Sequence, residues 1–241
     1  MSKIMSVLYF HLYSLSRSSK YAIPVIFLVL LQMMLYMAIQ TRPALFFSHL
    51  FLAEIFAFLV AVWLGHISHS WTDETTEQLL ILRVKSDKFY YSIYVVFLFI
   101  ISFCVSLLTI SIPTVLSFTG FFEQFTLSYF GSSFLLFLGS NFAGITLGAM
   151  IHPRLTAKKG DTPLYAMFAC LVAMTRYPIS QAYPIFRFVL WVLPNVSAHH
   201  AMITDVSELT FWSVIPLFLV SVVYGIVYSV IRIVLLARKK F

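Results

Sequence analysis

The chain has 241 residues, of which 61% are hydrophobic and 10% are charged, and its mean hydropathy is +0.93. Soluble domains carry about 25% charged residues, so this composition excludes an ordinary soluble protein and indicates that most of the chain lies in lipid. At about 20 residues per membrane-spanning helix, the length suits six spans in one domain, residues 1–241, with no separate soluble domain. The formal net charge of +7 comes from residues at the ends of apolar runs, a placement typical of membrane orientation. Nucleic-acid binding is therefore not predicted.

The first element in chain order is a short amphipathic helix over residues 1–20. Ile4, Leu8, His11 and Leu15 recur at helical spacing on one face, whereas serines and basic residues occupy the other. A helix with this pattern lies flat among the lipid headgroups, which makes membrane lipid its predicted partner. The alternative is a frayed terminus without fixed structure.

Six apolar runs follow, and each is predicted to be an α-helix that crosses the membrane. They are Tyr21–Gln40, Ala44–His66, Phe89–Phe118, Tyr129–Ile151, Asp161–Tyr177 and Thr210–Ala237. The predicted fold class is therefore an all-α polytopic membrane protein.

Lysine and arginine are divided unequally between the two sides that six spans define. The side that holds both termini receives thirteen: Lys3, Arg17, Lys20, Arg83, Lys85, Lys88, Arg154, Lys158, Lys159, Arg232, Arg238, Lys239 and Lys240. The other side receives Arg42, Arg176 and Arg187. Because positively charged short loops stay in the cytoplasm, the sequence predicts that both termini are cytoplasmic.

The connection between spans two and three, residues 67–88, is the most charged part of the chain. It places acidic residues before a leucine-rich run and basic residues after it, an order that suits the dipole of a helix. The residues of interest are Asp73, Glu74, Glu77, Leu79, Leu80 and Arg83. A cytoplasmic helix with an apolar face needs a surface to pack against. The alternative is a solvated loop that folds back onto the membrane.

The connection before the last span, residues 178–209, combines prolines with large apolar side chains. Between Pro184 and Pro194 there is room for about 14 Å of helix at 1.5 Å per residue, against a hydrocarbon core of about 30 Å. This segment cannot cross the membrane, and the sequence predicts a re-entrant helical hairpin that dips into the outer leaflet. The alternative is an amphipathic loop that rests on the membrane surface.

In this order, the elements resemble the permease subunits of type-2 ABC transporters, and the resemblance covers essentially the whole chain. Its most specific part is residues 72–82, Thr-Asp-Glu-Thr-Thr-Glu-Gln-Leu-Leu-Ile-Leu. This run is similar to the Glu-x-Gly-Thr-x-Glu-x-Leu-Leu pattern of the family's coupling helix. It departs from that pattern by lacking the glycine, with one residue deleted, and the proline that usually follows the leucine pair.

The resemblance implies an export permease in the plasma membrane. The low polarity of the spans favours an amphipathic or hydrophobic cargo, such as a peptide, an antimicrobial, a drug or a lipid-like compound. The resemblance also implies that the helix in residues 67–88 contacts a separate ATPase, present in two copies, and that a second permease copy or a homologue completes the pathway. The sequence contains no Gly-Lys-Ser/Thr phosphate loop. This chain is therefore not expected to be an enzyme or to hold a cofactor, and ATP and Mg would be bound by the partner ATPase.

Glu54 lies near the middle of span two, where an ionisable group usually faces the bundle interior or water. It is predicted to line the translocation path or to pair with Arg176 or Asn141. The alternative is a protonated carboxyl hydrogen-bonded to a neighbour. The further residues predicted for the path or gate are Arg176, Tyr183, Phe186 and Arg187.

Span four carries Ser140, Gly144 and Gly148 at intervals of four residues. A stripe of small residues at this spacing lets two helices approach closely. We therefore expect span four to pack tightly against a neighbouring helix.

Two functions from other classes remain open, an intramembrane enzyme and a membrane scaffold that transports nothing. The enzyme would use Glu54 and the histidines, but the sequence places no second carboxylate or nucleophile at the depth of Glu54. The neighbouring His199 and His200 do not match the ligand spacing of zinc sites. No metal site is predicted.

Overall fold

The computed structural model describes residues 3–37, 45–118, 127–156, 159–203 and 208–239. Within these ranges the chain is helical and contains no strand. The α-helices are α1 Lys3–Arg17, α2 Ala22–Met37, α3 Leu45–Ile67, α4 Glu74–Val84, α5 Asp87–Phe118, α6 Leu127–Met150, α7 Thr162–Ala182, α8 Phe186–Leu190, α9 His199–Met202 and α10 Phe211–Arg238. The predicted all-helical fold is confirmed.

Five helices in the described ranges are long and apolar enough to cross a membrane. They lie in Ser19–Tyr36, Ser48–Trp71, Asp87–Val115, Ser128–Met150 and Phe211–Arg238, which correspond to predicted spans one to four and six. The chain is thus a helical, multi-pass membrane protein. The predicted fifth span corresponds to α7, whose 21 residues are less apolar, so a sixth span stays a prediction. Gln40 and Ala44, at the predicted ends of the first two spans, lie outside the described residues.

The centre of the bundle is α6, which packs against α3, α5 and α10. Glycines on α6 and α3 let the backbones of these two helices come into direct contact. A Cβ atom built at Gly148 would overlap the backbone oxygen of Val62 in α3, and one built at Gly65 in α3 would overlap the backbone oxygen of Ile145. The predicted tight packing along the small-residue stripe is confirmed.

The amino-terminal helix forms as predicted and packs against α5. The His11 ring lies among aromatic rings, with centroid distances of 5.4 Å to Tyr90, 5.0 Å to Tyr94 and 5.3 Å to Phe97. Burial, assisted by the positive charge of Arg232, lowers the pKa of His11 to about 4. This imidazole is therefore neutral at pH 7 and packs as an aromatic side chain.

Helix ends meet at two opposite faces of the bundle. One face, the basic face, contains the end of α3, all of α4, the end of α6 and the end of α10. On this face, Lys20 Nζ, which precedes α2, donates to the Ser70 carbonyl at 3.1 Å, and Lys239 Nζ, which follows α10, donates to the Arg154 carbonyl at 2.5 Å. The other end of the bundle contains the first turn of α10. The exposed surface of α8 and its flanking residues, here called the α8 face, lies beside the middle of α10, because the carbonyls that follow α8 bond to Tyr224 and Tyr228.

The boundaries of the segment before α10 differ from the prediction. The sequence predicted a break at Pro178, but α7 continues through it to Ala182, where the Tyr183 amide still donates to the Ile179 carbonyl at 2.9 Å. Because proline removes a single amide donor, a break at this position is not obligatory in the last turns of a helix. The apolar stretch that follows forms only the five-residue α8, with turns on either side.

Candidate functional site

The helix predicted in the connection 67–88 is α4, and its ends are fixed by local interactions. The Asp73 carboxylate accepts hydrogen bonds from the Thr76 hydroxyl at 2.7 Å and from the Thr76 amide at 2.9 Å. These bonds hold the pKa of Asp73 below its ordinary value and cap the helix. Lys85 ends the helix in the left-handed conformation, with φ of 63°.

The inner side of α4 is docked on its own chain. Glu77 forms a salt bridge with Arg154, which follows α6, and Arg154 Nη1 lies 3.4 Å from the Tyr91 hydroxyl of α5. Ile81 and Val84 are buried beside this pair. Burial raises the pKa of Glu77, although the positive charge of Arg154 acts in the opposite direction. Glu77 thus ties α4 to the ends of α5 and α6.

The outer side of α4 is exposed and partly apolar. Leu79 is 61% exposed and Leu82 is 71% exposed. Asp73, Glu74 and Arg83 are exposed as well, whereas Leu80 is half-buried. The structure therefore divides the residues predicted to contact a partner, because Glu77 and Leu80 face the chain and the other four are exposed.

Three histidines lie beneath α4. Ring centroids are 5.5 Å apart for His66 and His69, and 5.4 Å apart for His69 and His152. Burial first, and then the positive charge of Arg232, lower the pKa of His152 to about 2, so this ring is neutral at pH 7. In the described part of the chain, no group of three or more His, Cys, Asp or Glu residues has a metal-holding arrangement.

Arg232 is a residue whose position the sequence did not reveal. It was assigned only to the basic end of the last span, but it is buried in α10, and its guanidinium carbon lies 4.3 Å from the ring centroid of Tyr94. The Nε and Nη1 atoms have no hydrogen-bond partner among the described residues. Two sequence features could have predicted its burial. The arginine lies more than one turn inside an apolar run, and three tyrosines at residues 90, 91 and 94 offer rings on which it can stack.

A second buried carboxylate lies deep in the bundle. Glu54 has no exposed surface, and its Oε1 atom accepts a hydrogen bond from the Ser140 hydroxyl of α6. The same atom lies 2.7 Å from His199 Nδ1 of α9. The other oxygen, Oε2, has no hydrogen-bond partner among the described residues. Glu54 therefore connects α3, α6 and the segment before α10.

The two partners predicted for Glu54 make different contacts. Asn141 Nδ2 donates to Ser106 Oγ at 2.9 Å, which joins α6 to α5. Arg176 lies elsewhere, at the end of α7. The sequence also placed no hydroxyl at the depth of Glu54, whereas the structure brings Ser140 and His199 there.

The order of these three groups limits their chemistry. In a Ser-His-Asp arrangement, the histidine accepts the proton of the serine hydroxyl. In the structure, Glu54 lies between Ser140 and His199, so the carboxylate and not the imidazole receives the Ser140 hydrogen bond. This arrangement fits a polar anchor between helices better than a nucleophile and its base.

Arg176, predicted for the gate, fastens the segment after α8. Its Nη1 atom donates to the Leu193 carbonyl and, at 3.1 Å, to the Tyr224 hydroxyl. That hydroxyl donates to the Trp191 carbonyl at 2.5 Å, and the Tyr228 hydroxyl donates to the Val192 carbonyl at 2.6 Å. Three successive carbonyls that follow α8 are thus satisfied by side chains of α7 and α10.

The other gate candidates lie on the exposed side of this segment. Tyr183, Phe186 and Arg187 are exposed on the α8 face, and the rings of Tyr183 and Phe186 are 6.2 Å apart. Phe188 is 79% exposed, which is unusual for phenylalanine in contact with water. The structure therefore separates the predicted gate residues into the buried Glu54, the half-buried Arg176 and the exposed Tyr183, Phe186 and Arg187.

Comparison with known proteins does not identify a family. The chain matches no protein-family model, no curated protein and no solved structure. What the chain does must therefore be argued from its own residues.

Proposed function

We propose that this chain is the membrane-spanning permease subunit of an ATP-driven exporter of the kind that the element order resembles, a type-2 ABC transporter. It would act in the plasma membrane with cytoplasmic termini, together with two ATPase subunits and a second permease copy or a homologue. The cargo would be amphipathic or hydrophobic, because the five candidate spans are predominantly apolar.

The observation that carries the proposal is the outer side of α4. This helix lies outside the candidate spans, is capped by its own sequence and is docked by its inner side. Its outer side nevertheless presents Leu79 and Leu82 with more than half of each side chain exposed. A pair of exposed leucines flanked by charged residues is typical of a protein-binding helix. On the basic face, which is predicted to be cytoplasmic, an ATPase is the partner that a permease requires.

The contacts of α4 suggest how a push from the partner would travel. The salt bridge from Glu77 to Arg154 links α4 to the end of α6. Further along α6, Ser140 is bonded to Glu54, which in turn contacts His199 in the segment before α10. Rigid helices and buried hydrogen bonds transmit displacement. We propose that closure of the ATPases moves α4 and that α6 carries this movement to the α8 face.

Site-specific photo-crosslinking in native membranes tests the partner. A benzoylphenylalanine at Leu82 is expected to form an adduct with a protein that binds ATP and contains a Gly-x-x-x-x-Gly-Lys-Ser/Thr sequence. The matched control is the same probe at Trp212, which is 83% exposed on the opposite end of the bundle. No adduct at Leu82, or the same adduct at both positions, would overturn the proposal.

A transport assay separates an exporter from a scaffold. Inside-out vesicles that contain the chain and the ATPase identified by crosslinking should accumulate a fluorescent amphipathic peptide when ATP is added. ATP binding without ATP-dependent accumulation of any amphipathic probe would favour the scaffold alternative.

A further inference from the structure

A groove with apolar walls runs between α3 and α7. Its volume is about 300 Å³, and its walls include Leu59, Val62, Trp63, Ala166, Met167 and Leu171. This volume is at the lower end of the range of about 300–1,000 Å³ that ligand pockets occupy. The groove is therefore large enough for part of an elongated apolar molecule.

A polar cavity of about 440 Å³ adjoins this groove. It lies under α4, and His66, His69, Glu77, His152 and Arg154 are among its walls. His66 and Pro163 line both the groove and the cavity. The two spaces together offer an apolar compartment and a charged compartment side by side, as an amphipathic ligand requires.

Their position corresponds to the edge of a bilayer. The groove lies beside the last turns of α3 and the first turns of α7, and the polar cavity lies at the basic face. Next to the groove, α7 exposes Leu164, Met167, Phe168 and Leu171. These positions follow the i, i+3, i+4, i+7 spacing of a single helix face, which gives α7 an apolar stripe suited to lipid.

His66 indicates which kind of headgroup fits. Its Nδ1 atom has no hydrogen-bond partner among the described residues, and the residue is only 8% exposed. In a neutral imidazole one ring nitrogen donates a hydrogen bond and the other accepts one. With Nδ1 as the acceptor, His66 suits a ligand that donates N–H or O–H.

The charges around the cavity point to the same ligand class. Arg154 can bind a phosphate, whereas Glu74 and Glu77 on α4 favour a positive group and repel a purely anionic one. We propose that the groove and cavity bind a phospholipid with an ammonium headgroup, such as phosphatidylethanolamine. One acyl chain lies in the groove, the phosphate approaches Arg154, and the ammonium group donates to His66 Nδ1 and the carboxylates.

Native mass spectrometry of the purified full chain tests the site. The protein is washed in detergent and then offered equal amounts of phosphatidylethanolamine and phosphatidylglycerol. The wild type is expected to retain phosphatidylethanolamine preferentially. Ala166→Trp, which fills the groove, should reduce total bound lipid at least fivefold. Leu164→Trp is the matched control on the exposed stripe outside the groove and should retain wild-type binding.

His66→Gln tests the headgroup contact independently of groove filling. A glutamine side chain remains polar and of similar length but supplies no acceptor at the Nδ1 position. We expect the preference for phosphatidylethanolamine to fall at least fivefold while total bound lipid is maintained. Equal retention of the two lipids by the wild type, an unchanged preference in His66→Gln, or retention of detergent alone would overturn the proposal. None of these measurements involves an ATPase or transport, so the lipid site and the proposed function fail independently.

Discussion

Two regions of the molecule are each fastened by one carboxylate, and they differ in how deeply that carboxylate is buried. On the basic face, Glu77 pairs with Arg154, and the side chains of the pair retain 15% and 12% of their exposure. Deep in the bundle, Glu54 contacts Ser140 and His199 with 1% exposure of its own side chain. The first pair can exchange contacts with water, whereas the second cannot.

This difference in burial indicates how much free energy is needed to break each contact. An ion pair near water costs little to open, because water solvates the separated charges. A carboxylate without water depends on its hydrogen-bond partners or on protonation. We therefore expect α4 to move relative to α6 more easily than His199 leaves Glu54. Four changes to the chain and one change of pH test this comparison.

The largest effect is expected from the helix contact that supports both regions. Gly148→Ala would place a methyl group against the Val62 backbone oxygen and force α3 from α6. We expect the free energy of unfolding in detergent to fall by more than about 3 kcal/mol, measured by thermal unfolding. Gly160→Ala is the control, since no atom lies within 4 Å of its added Cβ. Equal stability of the two variants would contradict the tight contact.

His199→Ala removes one partner of the deep carboxylate. The expected loss is about 2 kcal/mol, because a buried acceptor loses a hydrogen bond that water cannot replace. His200→Ala changes the neighbouring exposed histidine and serves as the control. If both variants unfold at the wild-type temperature, the contact with Glu54 does not hold the segment.

Arg154→Met makes the corresponding change on the basic face. We expect a smaller loss of about 1 kcal/mol, since the remaining Glu77 carboxylate can reach water or take up a proton. Glu77→Gln combined with Arg154→Met should recover part of this loss in a double-mutant cycle. A larger loss than that of His199→Ala would reverse the comparison.

Lowering the pH should reduce the free energy of unfolding through protonation of His152, which lies on the basic face. Its pKa is lowered to about 2 in the folded chain from an ordinary value of 6.5, so below pH 6.5 the unfolded chain binds the additional proton. Stability is therefore lost as the pH falls from 6.5 towards 2, by about 2 kcal/mol at pH 5 for His152 taken alone. Glu77, whose pKa is raised, acts in the opposite direction as it takes up its proton. His152→Asn should reduce the loss between pH 7.5 and 5, and an unchanged pH profile would exclude His152 as its source.

The smallest effect on folding is expected from the outer side of α4. Changing both Leu79 and Leu82 to serine should alter the free energy of unfolding by less than about 0.5 kcal/mol, because both side chains are exposed. The same variant should lose copurification with the ATPase. Retained copurification would show that these leucines are not the contact, whereas a clear loss of stability would show that they pack within the chain.

Local sequence determined where the spans form and how α4 begins, although it did not give the end of α7. Three patterns involve residues that are close together in the sequence and can therefore be predicted from it. They are the apolar run of each span, the acidic start of α4 and the small-residue stripe of α6. Asp73 caps α4 through a residue three positions away. The tight contact of Gly148 follows from the absence of a side chain, whichever helix approaches it.

Only the tertiary structure decided the partners of the buried charges. Glu54 and His199 are 145 positions apart, and Glu77 and Arg154 are 77 apart. From the sequence, Arg176 and Asn141 were equally acceptable hydrogen-bond or ion-pair partners for Glu54. Hydropathy gives the depth of a side chain in the membrane but not the direction in which it points. That direction depends on how α3, α6 and α10 rotate as they pack. The same packing buries Arg232 against Tyr94 and leaves Leu79 and Leu82 exposed, so the side of each helix that remains available for function is a property of the assembled bundle.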